Sequence, residues 1–83
     1  MRPAPGVLSQ EVEGELVLLD PQAVRYYALD DVGARVWQLL GEHGDVDAVV
    51  RAMLDEFDVD ETTLRADLDE LLARLRAAGL VVP

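Results

Sequence analysis

The chain has 83 residues, 51% of them apolar and 29% charged, with no cysteine. That suffices for one small domain and excludes a second core, a disulfide framework and a thiolate metal site. The formal net charge is −10 and all seven positive side chains are arginine, a surface that repels nucleic-acid backbones and anionic membranes.

Residues 1–6, "MRPAPG", hold two prolines and a glycine. They read as a flexible N-terminal arm, with no apolar stretch that would make a signal peptide, and a single domain is expected over 7–83. No apolar run approaches the roughly 18 residues of a membrane helix, so a cytoplasmic protein is expected. "VLSQEV", Val7–Val12, has the length of a short strand, and "EGE" after it supplies a turn. "LVLL", Leu16–Leu19, is apolar on both faces and reads as a central strand. "DPQA", Asp20–Ala23, is turn chemistry with proline at its second position. "VRYYAL", Val24–Leu29, is a third strand by its β-branched and aromatic content. Short turns between successive strands predict an antiparallel meander whose first and third strands are edges.

Asp30 or Asp31 then caps a helix whose apolar face is Val32, Val36, Trp37, Leu39 and Leu40, ending at Gly41 or Gly44. Asp45 or Asp47 caps a second, which buries Val46, Val49, Val50, Met53, Leu54 and Phe57. Asp58 and Glu61 have the spacing of a capping box for a third helix over about 60–78. In it Leu64, Leu68, Leu71 and Leu75 fall within about 60° on the helical wheel. The predicted fold class is α+β: a three-stranded antiparallel sheet followed by three helices, like a winged helix-turn-helix. DNA binding lacks its electrostatic term, because the third helix offers no basic excess on an acidic chain.

Catalytic chemistry is missing from the pattern. The single histidine, His43, sits at a helix end, where a cation-capable side chain suits the dipole. The single serine, Ser9, has no histidine near it in sequence. "DVDETTLRADLD", Asp58–Asp69, starts like a calcium loop but has Thr63 where that loop needs glycine and Asp69 where it needs glutamate. Helix capping accounts for it better. No cofactor and no enzymatic activity are expected.

The order "LLDP", "YALDDVGARVWQLL", "EFDVD" and "LRADLDELLARLRAAGLV" resembles the PqqD-like family of precursor recognition elements. The elements that match are Tyr27, Leu29, Asp30, Val36 and Trp37, then Asp67, Leu68, Leu71, Leu72, Leu75, Gly79 and Leu80. The resemblance spans about Val7–Val82 and is greatest to the stand-alone leader-binding protein of split lasso-peptide systems. Aspartate at position 30, where asparagine is commoner, keeps the cap. The resemblance implies that the protein binds the leader of a ribosomally made precursor peptide. It would then deliver that leader to a separate transglutaminase-like leader peptidase and an asparagine-synthetase-like cyclase. Leaders in such systems often carry a Tyr-x-x-Pro element with an aliphatic residue beyond it. An acidic winged-helix adaptor or regulatory module is the alternative reading.

The residues themselves support a strand-addition mechanism. "VRYYAL" has no proline or lysine to blunt it, so it is a poorly protected edge to which an extended peptide can add. If Leu29 is buried, Tyr27 shares its inward face, while Val24, Tyr26 and Ala28 take the other. Both tyrosines remain candidates for the groove. On the third helix, Leu64, Leu68 and Leu75 read mainly as core. Leu71, with Asp67 and Arg74, lies on one flank of the stripe, and Leu72, with Arg65 and Arg76, on the other; either flank fits a groove wall. The candidate peptide-binding residues are therefore Val24, Arg25, Tyr26, Tyr27, Ala28, Leu29, Asp67, Leu68, Leu71, Leu72, Arg74 and Leu75.

Overall fold

The computed structural model describes residues 1–83. In chain order the elements are β1 (Arg2–Pro3), β2 (Leu8–Val12), β3 (Glu15–Asp20), β4 (Arg25–Leu29), α1 (Asp31–His43), α2 (Val46–Glu56), α3 (Glu61–Ala77) and β5 (Val81–Val82). β2, β3 and β4 form an antiparallel meander with β3 in the middle, as the short turns demand. The register sets Leu16 opposite Leu29, Leu18 opposite Tyr27 and Leu19 opposite Tyr26. Leu18 and Leu29 are buried against the helices, with Leu16 and Tyr27 half-buried beside them.

The third strand starts one residue later than the sequence predicts. Asp20 organises the preceding turn by accepting hydrogen bonds from the Gln22 and Ala23 N–H groups at 3.1 and 3.5 Å. The turn ends on Val24, whose φ of 52° lies in the left-handed region, which a β-branched side chain rarely enters. Val24 thus belongs to the turn and not to the ladder.

Each helix begins on an aspartate. The Asp30 carboxylate accepts from the Gly33 N–H at 2.8 Å, Asp45 from Asp47 at 3.1 Å and Asp60 from Thr63 at 3.0 Å. Asp60, not Asp58, is therefore the cap of α3, and the predicted capping box does not form. α1 ends on Gly44 at φ 65°. α3 closes in a Schellman turn: Gly79 takes φ 75°, the Leu80 N–H donates to Leu75 O at 2.9 Å and Gly79 N–H to Arg76 O at 3.0 Å. That turn sends Leu80 and Val81 back into the core.

The core lies between the sheet and the helices, with α1 packed against β3, β4 and α2. It contains Val36, Trp37, Leu39 and Leu40 from α1, Val49, Val50 and Met53 from α2, and Leu64, Leu68, Leu72 and Leu75 from α3. Val46, Leu54 and Phe57 are only partly buried. Val32, in the first turn of α1, is exposed.

The two chain ends are tied together. β1 pairs with β5, Arg2 opposite Val82 and Pro3 opposite Val81, and the Ala4 N–H donates to Leu80 O at 2.9 Å. The terminal amine donates to Gly44 O at 3.2 Å. Residues 1–4 are thus tied down, in place of the flexible arm expected from their prolines, and Val81–Val82 form a strand. A proline fits here because a two-residue edge pairing asks few donors of it. No helix is long and apolar enough to cross a membrane.

Candidate functional site

β4 is an edge of the sheet, so one line of its backbone N–H and C=O groups has no strand partner. A cleft of about 580 Å³ opens beside it. One wall runs from Tyr27 to Gly33, with Glu15 at the margin, and the other is Asp67, Leu71 and Arg74 of α3. A second hollow of about 250 Å³ follows at the other end of the strand, between Val24, Arg25, Tyr26, Tyr27, Ala78 and Leu80. Tyr27 borders both hollows. Together they form a trough along β4, with α3 running antiparallel to the strand.

The two walls match in length. From Arg25 to Asp30, both of which line the trough, the chain spans about 17 Å at a rise of about 3.3 Å per residue. Asp67 to Ala78 spans about 17 Å at about 1.5 Å per residue. Asp67, Leu71, Arg74 and Ala78 follow helical spacings of four, three and four residues, which keeps them on one face. The trough therefore offers unpaired backbone groups over its full length on one side and side chains on the other.

Local sequence sets this geometry. The Asp30 cap starts α1 directly after β4. A Cβ on Gly33 would lie 3.3 Å from Leu29 Cβ and Cδ2, a contact that would push Leu29 aside by a few tenths of an ångström, so glycine eases the start of the helix this close to the strand end. Val32 then faces the cleft instead of the core. At the other end, the Schellman turn places Ala78 and Leu80 against Val24–Tyr27.

The arginines divide into two groups. Arg35 of α1 makes a two-pronged ion pair with Glu56 of α2, Nε to Oε1 at 2.7 Å and Nη2 to Oε2 at 2.9 Å. That hydrogen bonding raises the Arg35 pKa and holds the Glu56 carboxyl below its ordinary value. Arg65 bonds Glu61 and Asp47 at 3.0 and 3.1 Å, which raises its pKa likewise. Arg25 and Arg74, on the trough, make no ion pair. They are free positive groups in a chain of net charge −10.

The predicted site residues thus separate. Arg25, Tyr26, Tyr27, Ala28, Leu29, Asp67, Leu71 and Arg74 border the trough, as does Val24 from the turn. Leu68 and Leu75 are buried beneath it and act as support. Leu72 lies on the opposite side of α3, in a hollow with Met1, Val46 and Ala73. The flank of α3 that meets β4 is therefore the one with Leu71, and the expectation of a groove role for Leu72 is corrected. Tyr27 is the tyrosine of the main cleft; Tyr26 is 76% exposed and reaches only the smaller hollow. Sequence reasoning missed Val32, Gly33, Ala78 and Leu80. Ala78 was recoverable, being the next step after Asp67, Leu71 and Arg74 on one helix face. No cluster of histidine, aspartate or glutamate is spaced to hold a metal ion.

The family model for coenzyme PQQ synthesis protein D (PqqD) matches residues 15–81. The structure of TbiB1 in complex with the TbiA(beta) leader peptide is similar at 37% identity and a TM-score of 0.85, covering 96% of this chain and 93% of that one. Lasso peptide synthetase B1 complexed with the leader peptide is similar at 26% identity and a TM-score of 0.86, covering 99% of this chain and 96% of that one. No curated protein sequence matches.

Proposed function

This chain belongs to the PqqD family, and we propose that it binds the leader region of a ribosomally made precursor peptide by strand addition to β4. The observation that carries this reading is the unpaired β4 edge running beside a trough of similar length, whose walls mix apolar side chains with Asp67 and Arg74. Backbone pairing supplies affinity without regard to sequence, and the pockets beside Tyr27, Leu71 and Val32 supply selectivity. Both similar structures hold leader peptides, which supports the same role here. Tyr27, Ala28, Leu29, Asp67, Leu71 and Arg74 are the contacting residues in this reading, with Arg25 and Tyr26 at the smaller hollow.

The module then delivers the leader to a separate leader peptidase of the transglutaminase-like kind and to an asparagine-synthetase-like cyclase, in lasso-peptide maturation. It contributes no chemistry; holding the leader raises the local concentration of substrate at its partners. The lack of a paired nucleophile and base supports this: Ser9 is on β2 and His43 in the last turn of α1.

Calorimetry with the isolated leader and the isolated product half of the cognate precursor tests the binding reading. The leader is expected to bind and the product half is not. Equal affinity for the two halves would refute it. Cleavage or modification of the precursor by the purified protein alone would refute the non-catalytic role.

A further inference from the structure

The charges along the trough are sorted by sign. At the end where β4 meets α1, the cleft carries Glu15 and Asp67, while the Asp30 carboxylate is already bonded to the Gly33 N–H. Toward the other end stand Arg74 and then, in the smaller hollow, Arg25 with no carboxylate beside it. None of Glu15, Asp67, Arg25 and Arg74 is engaged in an ion pair within the chain. Half-buried Leu71 and Tyr27 leave an apolar stretch between the two ends. Asp67 and Arg74 lie about 10 Å apart along α3. In a strand, side chains on one face recur every second residue, so four residues span about 13 Å. Two long charged side chains at that spacing reach both Asp67 and Arg74, and the residue midway between them meets Leu71.

We propose that the trough selects its peptide by the order of charge along it: lysine or arginine first, an aliphatic residue two positions on, and glutamate or aspartate two positions beyond that. Asp67 takes the cation, Leu71 the aliphatic side chain and Arg74 the carboxylate, with Glu15 and Arg25 extending the same polarity. The proposal rests on the strand-addition reading of β4 and names the class of segment that edge accepts. The N-to-C order follows from the sheet. β2, β3 and β4 pair antiparallel throughout, and antiparallel addition is the more stable way to continue the ladder. A strand antiparallel to β4 begins beside Leu29, at the acidic end, and leaves beside Arg25, at the basic end. Backbone pairing alone cannot fix the register, since a slip of two residues restores every hydrogen bond and every facing. The sorted charges remove that freedom, because a slipped or reversed peptide sets like charge against like.

The test uses the full chain and two acetylated, amidated peptides of identical composition: Thr-Lys-Thr-Leu-Thr-Glu-Thr, and the same sequence with lysine and glutamate exchanged. In titrations followed by NMR at low salt, wild type should bind the first at least about fivefold more tightly. The ratio should fall toward one at about 1 M salt, where the charges are screened. The exchange variant Asp67→Lys with Arg74→Glu should reverse the preference. Equal affinity for the two peptides, preference of wild type for the exchanged one, binding of neither, or an exchange variant that keeps the wild-type preference overturns the proposal. If the exchange variant unfolds, Asp67→Asn alone carries the test, with the ratio expected to fall by about half and an unchanged ratio overturning the proposal. Binding of the cognate leader is measured separately. A leader that binds while the two peptides do not differ removes the charge order and leaves strand addition standing, whereas a leader that does not bind removes both.

Discussion

Tyr27 packs toward the core from the inner face of β4, while its neighbour Tyr26 stands on the outer face opposite Leu19, 76% exposed. Adjacent residues of one strand thus belong to different surfaces. Tyr27 separates the two hollows of the trough. A change at Tyr27 should therefore disturb core packing and both hollows, whereas a change at Tyr26 should reach only the smaller hollow.

Proline scanning of Arg25–Leu29 should give alternating results. Alternate N–H groups of an edge strand point to β3 and outward. A proline replacing an inward donor breaks the ladder and should destabilise the domain. A proline replacing an outward donor should leave the melting temperature near wild type and weaken leader binding by at least about 1 kcal/mol. Normal leader binding by every variant that stays folded would rule out strand addition at β4.

Leu71 and Leu72 are neighbours in sequence with opposite duties. Leu71→Ser, at a half-buried position on the trough, should weaken leader binding while costing little stability. Leu72→Ala empties a buried site and should cost about 2–5 kcal/mol, with leader affinity of the folded fraction unchanged. Thermal melts and calorimetry on both variants check this. The reverse pattern would place the groove on the other flank of α3.

Val24→Gly should stabilise the fold. Valine at φ 52° holds a conformation that costs of order 1–3 kcal/mol and that glycine adopts freely. The extra freedom of glycine in the unfolded chain offsets part of the gain, so a rise of about 1 kcal/mol is expected, or about 4–8 °C in melting temperature for a domain of this size. A drop in melting temperature would show that the valine side chain contributes more than its backbone strain.

The Arg35–Glu56 pair should give a pH-dependent increment to stability. The Arg35 hydrogen bond lowers the Glu56 pKa in the folded state, so its contribution is present above the unfolded carboxylate value. As pH falls through that value and then through the lower folded one, the contribution is lost. Wild type and Glu56→Gln should therefore differ near neutrality and converge in acid. High salt should shrink the difference, since the pair lies at the surface. A difference that persists in acid would mean the glutamine is tolerated poorly for steric reasons.

Much of this architecture was legible in the sequence, where periodicity or capping chemistry carried it. The meander followed from its turns, and the facing of Tyr26 and Tyr27 followed from the burial of Leu29. Asp30 and Asp45 were among the expected caps. Asp60 was overlooked because Asp58 stands at the better-known spacing from Glu61, yet Asp60 holds the same spacing from Thr63. The flank of α3 that meets β4 was not legible, since Leu71 and Leu72 differ by 100° on the wheel and only tertiary packing selects between them. The β1–β5 pairing was invisible for another reason: strands of two residues, one of them proline, have no period to read.

That pairing bears on how the domain can be attached to other chains. Its entry and exit points lie on adjacent strands, about 5 Å apart at ordinary strand spacing. A host protein could accept the whole unit within a single surface loop, because the two junctions need hardly more separation than the ends of a tight turn. The same adjacency permits circular permutation: a short linker from Pro83 to Met1 would close the chain, with new ends opened at the exposed Glu13–Gly14 turn.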